Sequence, residues 1–295
     1  MGGAAPVAVV IPAYRSAGTL GECLESVLGQ SLPPAEIVVV DDGSPDDIAG
    51  VVAPFRDRVR CIRQENRGPG AARNRGVEET AAPLLAFLDA DDVWLPRRLE
   101  RTWAALEEQP AADLVFADAW DWDGEVRSGS RFEANPPPAG AIGVEALVRA
   151  NFIPILTVLM RREAFLRAGG FDPDRSFLAV EDYDLWLRVL LTGEAFCLRE
   201  KVALYRRAPG SLGSSANILA GLRRVHEKLL AHPRCPAGLG RAVRRREGLA
   251  AREHAWELLE KGAWREARVP LRAALGAAPF SPALWKLLVR WLLRR

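Results

Sequence analysis

Histidine, cysteine and methionine are scarce, with three, four and two copies among 295 residues. His226, His232 and His254 all fall after residue 215, so a histidine-based triad or a two-histidine metal centre has no basis in the first two hundred residues. Acid–base work there falls to carboxylates. Cys23, Cys61, Cys197 and Cys235 show no C-x-x-C spacing, which excludes a zinc ribbon or a disulfide framework and suits a reducing compartment. No charged-then-apolar leader opens the sequence, and no apolar run approaches the ~20 residues needed to cross a bilayer. The expected location is the cytoplasm, at most peripheral at the inner face of the cytoplasmic membrane.

With 49% apolar residues the chain can bury a large core, which excludes disordered and collagen-like classes. Charge is nearly balanced, 40 Lys and Arg against 38 Asp and Glu, but unevenly placed. Residues 1–214 carry 23 basic and 32 acidic side chains, and residues 215–295 carry 17 and 6. An acidic, catalytic or metal-binding body joined to a basic tail that seeks an anionic surface is the expectation.

Along the first hundred residues, short apolar runs alternate with helical periodicity. Strands are expected at 7–11, 37–40, 59–62 and 84–88, and helices at 19–30, 46–55 and 70–80. This order predicts a parallel sheet covered by helices. Ligands of such sheets sit beyond the carboxyl ends of the strands. Here those ends read Pro12-Ala13-Tyr14, Asp41-Asp42-Gly43-Ser44 and Asp89-Ala90-Asp91-Asp92. Turn formation and helix capping account for Ser44 and Asp46. Five carboxylates on two neighbouring strand ends call for a cation or a donor-rich ligand instead. Residues 113–214 read as α+β, with strands at 114–117 and 157–161, a hairpin turn at Asp123-Gly124, and helices at 144–150, 162–168 and 180–192. The last of these begins with Glu181-Asp182.

Five ordered pieces, Val9-Val10-Ile11-Pro12-Ala13-Tyr14, Asp41-Asp42-Gly43-Ser44, Asn66-Arg67-Gly68-Pro69-Gly70-Ala71-Ala72-Arg73-Asn74, Phe87-Leu88-Asp89-Ala90-Asp91-Asp92 and Glu181-Asp182-Tyr183-Asp184-Leu185-Trp186, resemble family 2 glycosyltransferases. The resemblance spans residues 6 to 208. It implies an inverting, metal-dependent enzyme of α/β class with a GT-A-type, mostly parallel sheet flanked by helices. A Rossmann-like nucleotide half would cover about 1–112, an acceptor half about 113–214, and a helical basic extension 215–295.

The same resemblance assigns roles. Pro12, Ala13 and Tyr14 would border base and ribose, Asp42 would recognise the base with Asp41 beside it, and Gly68 and Arg73 would line the nucleotide pocket. Asp89-Ala90-Asp91 matches D-x-D, which puts Asp89 and Ala90 against the nucleotide and Asp91, with Asp89, on Mg²⁺ or Mn²⁺. Asp182 matches the catalytic base, with Glu181 supporting it or touching the acceptor. The residue types suit hexosyl transfer: carboxylate oxygens hold a hard cation against a departing diphosphate, and a carboxylate takes the proton of an attacking hydroxyl. Expected partners are a nucleotide-sugar donor, with UDP favoured, and a saccharide or lipid-linked acceptor, but no nucleic acid.

More ordinary roles compete at several positions. An acid at a helix N-terminus is commonly just a favourable charge, Leu185 and Trp186 suit a core, and Trp120 and Trp122 suit either strand packing or sugar stacking. Arg206, Arg207 and Ser211 fit a segment near the diphosphate or a solvated loop, and Gly213-Ser214-Ser215 a lid or a linker.

In the tail, residues 255–279 resemble one tetratricopeptide-type helix pair, which must pack on the body or on another copy of the chain to cover its apolar face. The final helix, from Pro282, sets Lys286, Arg290 and Arg294 on one stripe and suits either a cap on the fold or an anionic membrane surface. A Q-x-x-R-W motif of processive synthases is absent, because Leu287 stands where Gln would precede Arg290-Trp291. Two rivals are a sugar-phosphate nucleotidyltransferase, which would open with a Gly-rich phosphate loop in place of Pro12-Ala13-Tyr14-Arg15, and a non-catalytic binding protein of the same fold.

Overall fold

Every residue of Ala5–Ala13 except Pro6 is buried, as a strand covered on both faces requires. The computed structural model describes residues 4–207, 215–279 and 281–293. Its first half runs β1 (Ala5–Ala13), α1 (Leu20–Leu28), β2 (Pro34–Asp41), α2 (Ile48–Val52), β3 (Arg60–Arg63), α3 (Pro69–Glu78), β4 (Leu84–Phe87), β5 (Val93–Trp94) and α4 (Arg98–Glu108). The second half continues with β6 (Ala112–Trp122), β7 (Arg127–Ser130), α5 (Arg131–Ala134), β8 (Ala141–Ile142), α6 (Val144–Arg149), β9 (Leu159–Arg161), α7 (Arg162–Arg167), α8 (Glu181–Leu190) and β10 (Glu194–Arg206). The extension is helical: α9 (Ser215–Ala231), α10 (Gly240–Glu260), α11 (Arg268–Ala277) and α12 (Pro282–Leu293).

One mixed sheet has the order β3-β2-β1-β4-β9-β6-β10-β5, with β7 on β6 and β8 on β10. Strands β3, β2, β1 and β4 pair parallel, as expected for the nucleotide half. Antiparallel pairing enters with β9, which joins β4 to β6, while β6 and β10 pair parallel again. Period-two alternation divides the core. Val10, Leu85, Phe87 and Phe116 face one side, and Val9, Ile11, Ala86 and Val115 face the other.

The first of these cores continues without a break through Trp186 of α8 and Leu222 of α9 to Leu284 and Leu287 of α12. The extension therefore packs on the body. Helix α10 turns into α11 beyond Gly262, at φ 72°, and the two come close enough that a Cβ at Gly248 would lie 2.2 Å from the Ala277 Cβ. Ser211, Gly213, Ser214 and Arg294 lie outside the described residues. Among the described residues, no helix is long and apolar enough to cross a membrane.

Candidate active site

Because β1, β2 and β4 run parallel, their carboxyl ends share one rim. Both carboxylates of the Asp41-Asp42 turn are buried, and each is already engaged. Asp41 accepts from the Ser44 N–H at 2.7 Å and from Arg63 at 2.5 Å. Asp42 Oδ1 accepts from Gln64 Nε2 at 2.7 Å and from the Arg67 N–H at 2.9 Å, and its Oδ2 from the Gly68 N–H at 2.8 Å. Asp42 thus shapes the loop before α3, and Gly68, at φ 91°, adopts a backbone that other residues rarely reach. Tyr14 stands 46% exposed beside this turn, and the Arg15 N–H donates to Ser44 Oγ at 2.6 Å.

Arg73 reaches from α3 to the same rim. Its guanidinium is buried behind the rim, donating to Glu181 Oε1 at 2.8 Å and to Asp89 Oδ1 at 2.5 Å, and lying 5.4 Å from the Phe171 ring. One arginine on α3 therefore ties the first aspartate of D-x-D to the first carboxylate of α8. Its neighbour Asn74 clips the Phe171 backbone from both sides, at 2.8 and 2.9 Å. Gly70 gives room: a Cβ there would meet the Asp172 carbonyl at 3.1 Å.

Glu181 and Asp182 open α8. Glu181 is buried, and its Oε2 has no hydrogen-bond partner. Asp182 is half-buried, accepts from the Tyr183 N–H at 2.6 Å, and has its carboxyl pushed up to about 7. Burial is the main cause and the Glu181 charge the second, opposed by the Tyr183 N–H and Arg73. A carboxylate poised near neutrality at a strand-end rim is suited to taking a proton from a hydroxyl.

The Asp89–Asp92 turn gathers three carboxylates. Asp89 is tied to Arg73 while its side chain stays 32% exposed. Asp91 is raised by burial and then by Asp89. Asp92, which follows the D-x-D pair, is buried, accepts from the Arg206 N–H at 2.8 Å, and has an unpartnered Oδ2. Burial, then Asp89 and Asp91, push it well up. Arg206 clamps this turn from the end of β10: its Nε donates to the Asp91 carbonyl at 2.7 Å and its guanidinium stacks 4.2 Å over Trp122. Arg207 pairs instead with Asp121 at 2.6 Å. Among the described residues, no group of three or more His, Cys, Asp or Glu side chains is arranged to hold a metal ion. Asp89 and Asp91 offer hard oxygen donors to a cation that brings its remaining ligands with it.

Nearby aromatic positions resolve toward packing. Leu185 and Trp186 are fully buried and Trp122 is buried, while half-buried Trp120 carries Lys201 Nζ 3.7 Å from its ring. A shallow, solvent-open hollow lies between Gly68–Ala71 and Asp172–Leu178, with Glu181 in its wall.

The extension reaches α8 through polar contacts that the sequence did not announce. Tyr183 Oη lies 3.2 Å from His226 Nε2, whose Nδ1 is 3.0 Å from Glu247 of α10. Lys228 donates to Asp172 at 2.7 Å and to Asp184 at 3.0 Å. Helices α9 and α10 thus buttress the element that carries Asp182.

Comparison with known proteins adds to this geometry. The family model described as Glycosyl transferase family 2 matches residues 8–166. The chain is 34% identical over 263 residues to the succinoglycan biosynthesis protein ExoU of Rhizobium meliloti, which covers 84% of this chain and 76% of that protein. Its fold is similar to that of S. aureus TarS 1–349 in complex with UDP-GlcNAc, with a TM-score of 0.70 and 17% identity over 98% of this chain and 88% of that one. It is also similar to the mannosyltransferase PcManGT from Pyrobaculum calidifontis in complex with GDP-Man and Mn²⁺, with a TM-score of 0.65 and 18% identity over 99% and 86% of the two chains. At these identities the likeness to solved structures concerns the fold.

Proposed function

Since the chain belongs to glycosyl transferase family 2 and so transfers a sugar from a nucleotide-sugar donor to an acceptor, we propose that it is an inverting, non-processive hexosyltransferase with Asp182 as its base. The observation that carries this reading is the placement of half-buried Asp182 beside the Glu181–Arg73–Asp89 chain at the strand-end rim, where burial and the Glu181 charge raise its carboxyl. Asp182 takes the acceptor hydroxyl proton as the oxygen attacks the anomeric carbon, and the nucleoside diphosphate leaves from the opposite face, inverting that carbon. Glu181, fixed by Arg73, keeps the Asp182 proton affinity high enough for this task. Asp91 and Asp89 are the residues to hold Mg²⁺ or Mn²⁺, which when bound neutralises charge on the diphosphate.

UDP is the favoured nucleotide. A carboxylate offers about four lone-pair sites, and Asp42 uses three on its own loop, which leaves one for the N–H edge of uracil. Pro12, Ala13 and Tyr14 flank that turn and border base and ribose. The likeness to a succinoglycan biosynthesis protein favours surface polysaccharide or glycolipid synthesis with a saccharide or lipid-linked acceptor. Absence of Q-x-x-R-W supports transfer of single residues.

The test is product analysis with UDP-glucose, UDP-galactose and UDP-GlcNAc in the presence of Mn²⁺ and a lipid-linked saccharide fraction. Release of UDP is expected, and Asp182→Asn should abolish it while the thermal stabilisation by UDP persists. Pyrophosphate as the product would replace the reading with nucleotidyl transfer. Undiminished UDP release by the variant would remove Asp182 from its role.

A further inference from the structure

Helix α12 is apolar on both sides. Leu284 and Leu287 are buried against the body, whereas Trp285, Val289, Leu292 and Leu293 are 53%, 51%, 68% and 63% exposed. At 100° per residue these four fall within one arc opposite the buried leucines, with exposed Lys286 at its edge. The Trp285 indole N–H donates to the Pro279 carbonyl at 2.8 Å, so its polar end is satisfied and its ring is left as apolar surface. Beyond Lys286, Arg290 pairs with Glu260 of α10 and lies 5.2 Å from the half-exposed Trp256 ring, closing that side of the arc. An exposed apolar arc of this kind on one helix face suits an interaction site.

Charge chooses the occupant. Residues 267–295 hold six basic side chains and no acidic one, and residues 215–295 hold 17 against 6. Two copies meeting through α12 would bring like charges together, whereas an anionic surface would neutralise them. With 12 residues the helix is about 18 Å long at 1.5 Å per residue, too short for a hydrocarbon core of roughly 30 Å. A helix with an exposed apolar arc, tryptophan and flanking lysine suits the plane of a lipid interface.

We propose that the outer face of α12 docks this enzyme on an anionic lipid surface, with Trp285, Val289, Leu292 and Leu293 in the headgroup–acyl boundary and Lys286 against lipid phosphates. The inference is independent of the donor and the base: docking needs no nucleotide, so it stands or falls apart from the assignment of Asp182.

The experiment is co-sedimentation of the full chain with phosphatidylcholine vesicles, with and without roughly 30% phosphatidylglycerol, at low and high salt. Binding is expected to the anionic vesicles alone and to weaken with salt. W285S/V289S/L292S, which alters exposed side chains and gives up one surface hydrogen bond, from Trp285 to Pro279, should keep the far-UV circular dichroism and the UDP-induced thermal shift, and should lower the vesicle partition coefficient about tenfold or more. Lys286→Glu should weaken binding in the same direction. Equal partition of the triple variant and the parent would overturn the proposal, as would equal binding to uncharged vesicles. A monomer–dimer equilibrium in sedimentation velocity that the triple variant abolishes, without vesicle binding by the parent, would assign the face to a second copy instead.

Discussion

Replacing Arg73 with leucine removes the single cation from a buried triangle of charge. Its guanidinium is 3% exposed and bonds Asp89 at 2.5 Å and Glu181 at 2.8 Å, with Asp182 next in sequence to Glu181. With charge centres about 4 Å apart and an effective dielectric constant of about 20, each pair is worth about 4 kcal/mol before desolvation. Dehydrating the guanidinium offsets much of that sum. Removing one partner of a buried pair costs about 3–5 kcal/mol, chiefly because the remaining charge stays dehydrated and uncompensated. Glu181 is the worse placed of the two: its carboxylate is 11% exposed against 32% for Asp89, and its second oxygen already lacks a partner. Solvent screening of Asp89 puts the expected loss near the lower end, about 3 kcal/mol.

The pH dependence of that loss identifies its cause. In Arg73→Leu the Asp182 carboxyl, already raised to about 7 by burial and the Glu181 charge, loses an opposing positive charge and rises further. A raised carboxyl destabilises the fold fully above its folded pKa and not at all below its unfolded one. The difference between parent and variant in urea unfolding should therefore be largest at pH 8 and shrink toward pH 5. Arg73→Lys should restore part of the stability, since a point charge can serve one carboxylate better than two. A loss below about 1 kcal/mol, or one that does not change with pH, would refute the view that Arg73 neutralises this site.

Local pattern makes β1, β2 and β4 legible, with the aspartate-rich ends of β2 and β4, because a buried parallel strand is a continuous apolar run and the acids that end two of them are also turn formers. Glu181-Asp182 was legible for the same reason at a helix start. Strand β6 reads as four residues and extends over Ala112–Trp122, since Asp118 and Asp121 interrupt the apolar run. Asp118 is satisfied by the Phe132 N–H at 3.0 Å, and Asp121 by Arg131 and Arg207, partners that come from elsewhere in the chain. Strand β10 escapes notice because three register shifts against β6 break its alternation. Arg73 shows the limit most clearly. Its residue type announced a fork of donors, but Glu181 lies 108 positions away, and only the fold reveals that the fork points at protein carboxylates. Histidines in a basic tail likewise give no sign that one of them is buried against α8.

The contact between His226 and Tyr183 yields a double-mutant test. His226→Leu should cost about 1–3 kcal/mol by orphaning the buried Tyr183 hydroxyl, and Tyr183→Phe in the same chain should recover most of it, since replacing both partners by apolar groups removes the unsatisfied atom. Additive losses in urea unfolding would mean that the two side chains do not interact. The pH–rate profile tests the site itself. As the proposed base, Asp182 would act only when ionised, so kcat/KM for transfer should rise with pH through a midpoint near 7. Burial, the leading cause of that value, is untouched by Glu181→Gln, but the second cause, the Glu181 charge, is deleted. The midpoint should therefore move down, and Arg73→Leu, which deletes an opposing positive charge, should move it up. Between pH 4 and 7 the native chain holds an Asp182 proton that the unfolded chain releases, so the same group makes stability fall as pH rises through this window. If Glu181→Gln and Arg73→Leu shift the midpoint in the same direction, charge on these neighbours does not set the Asp182 proton affinity, and the electrostatic account of the site fails.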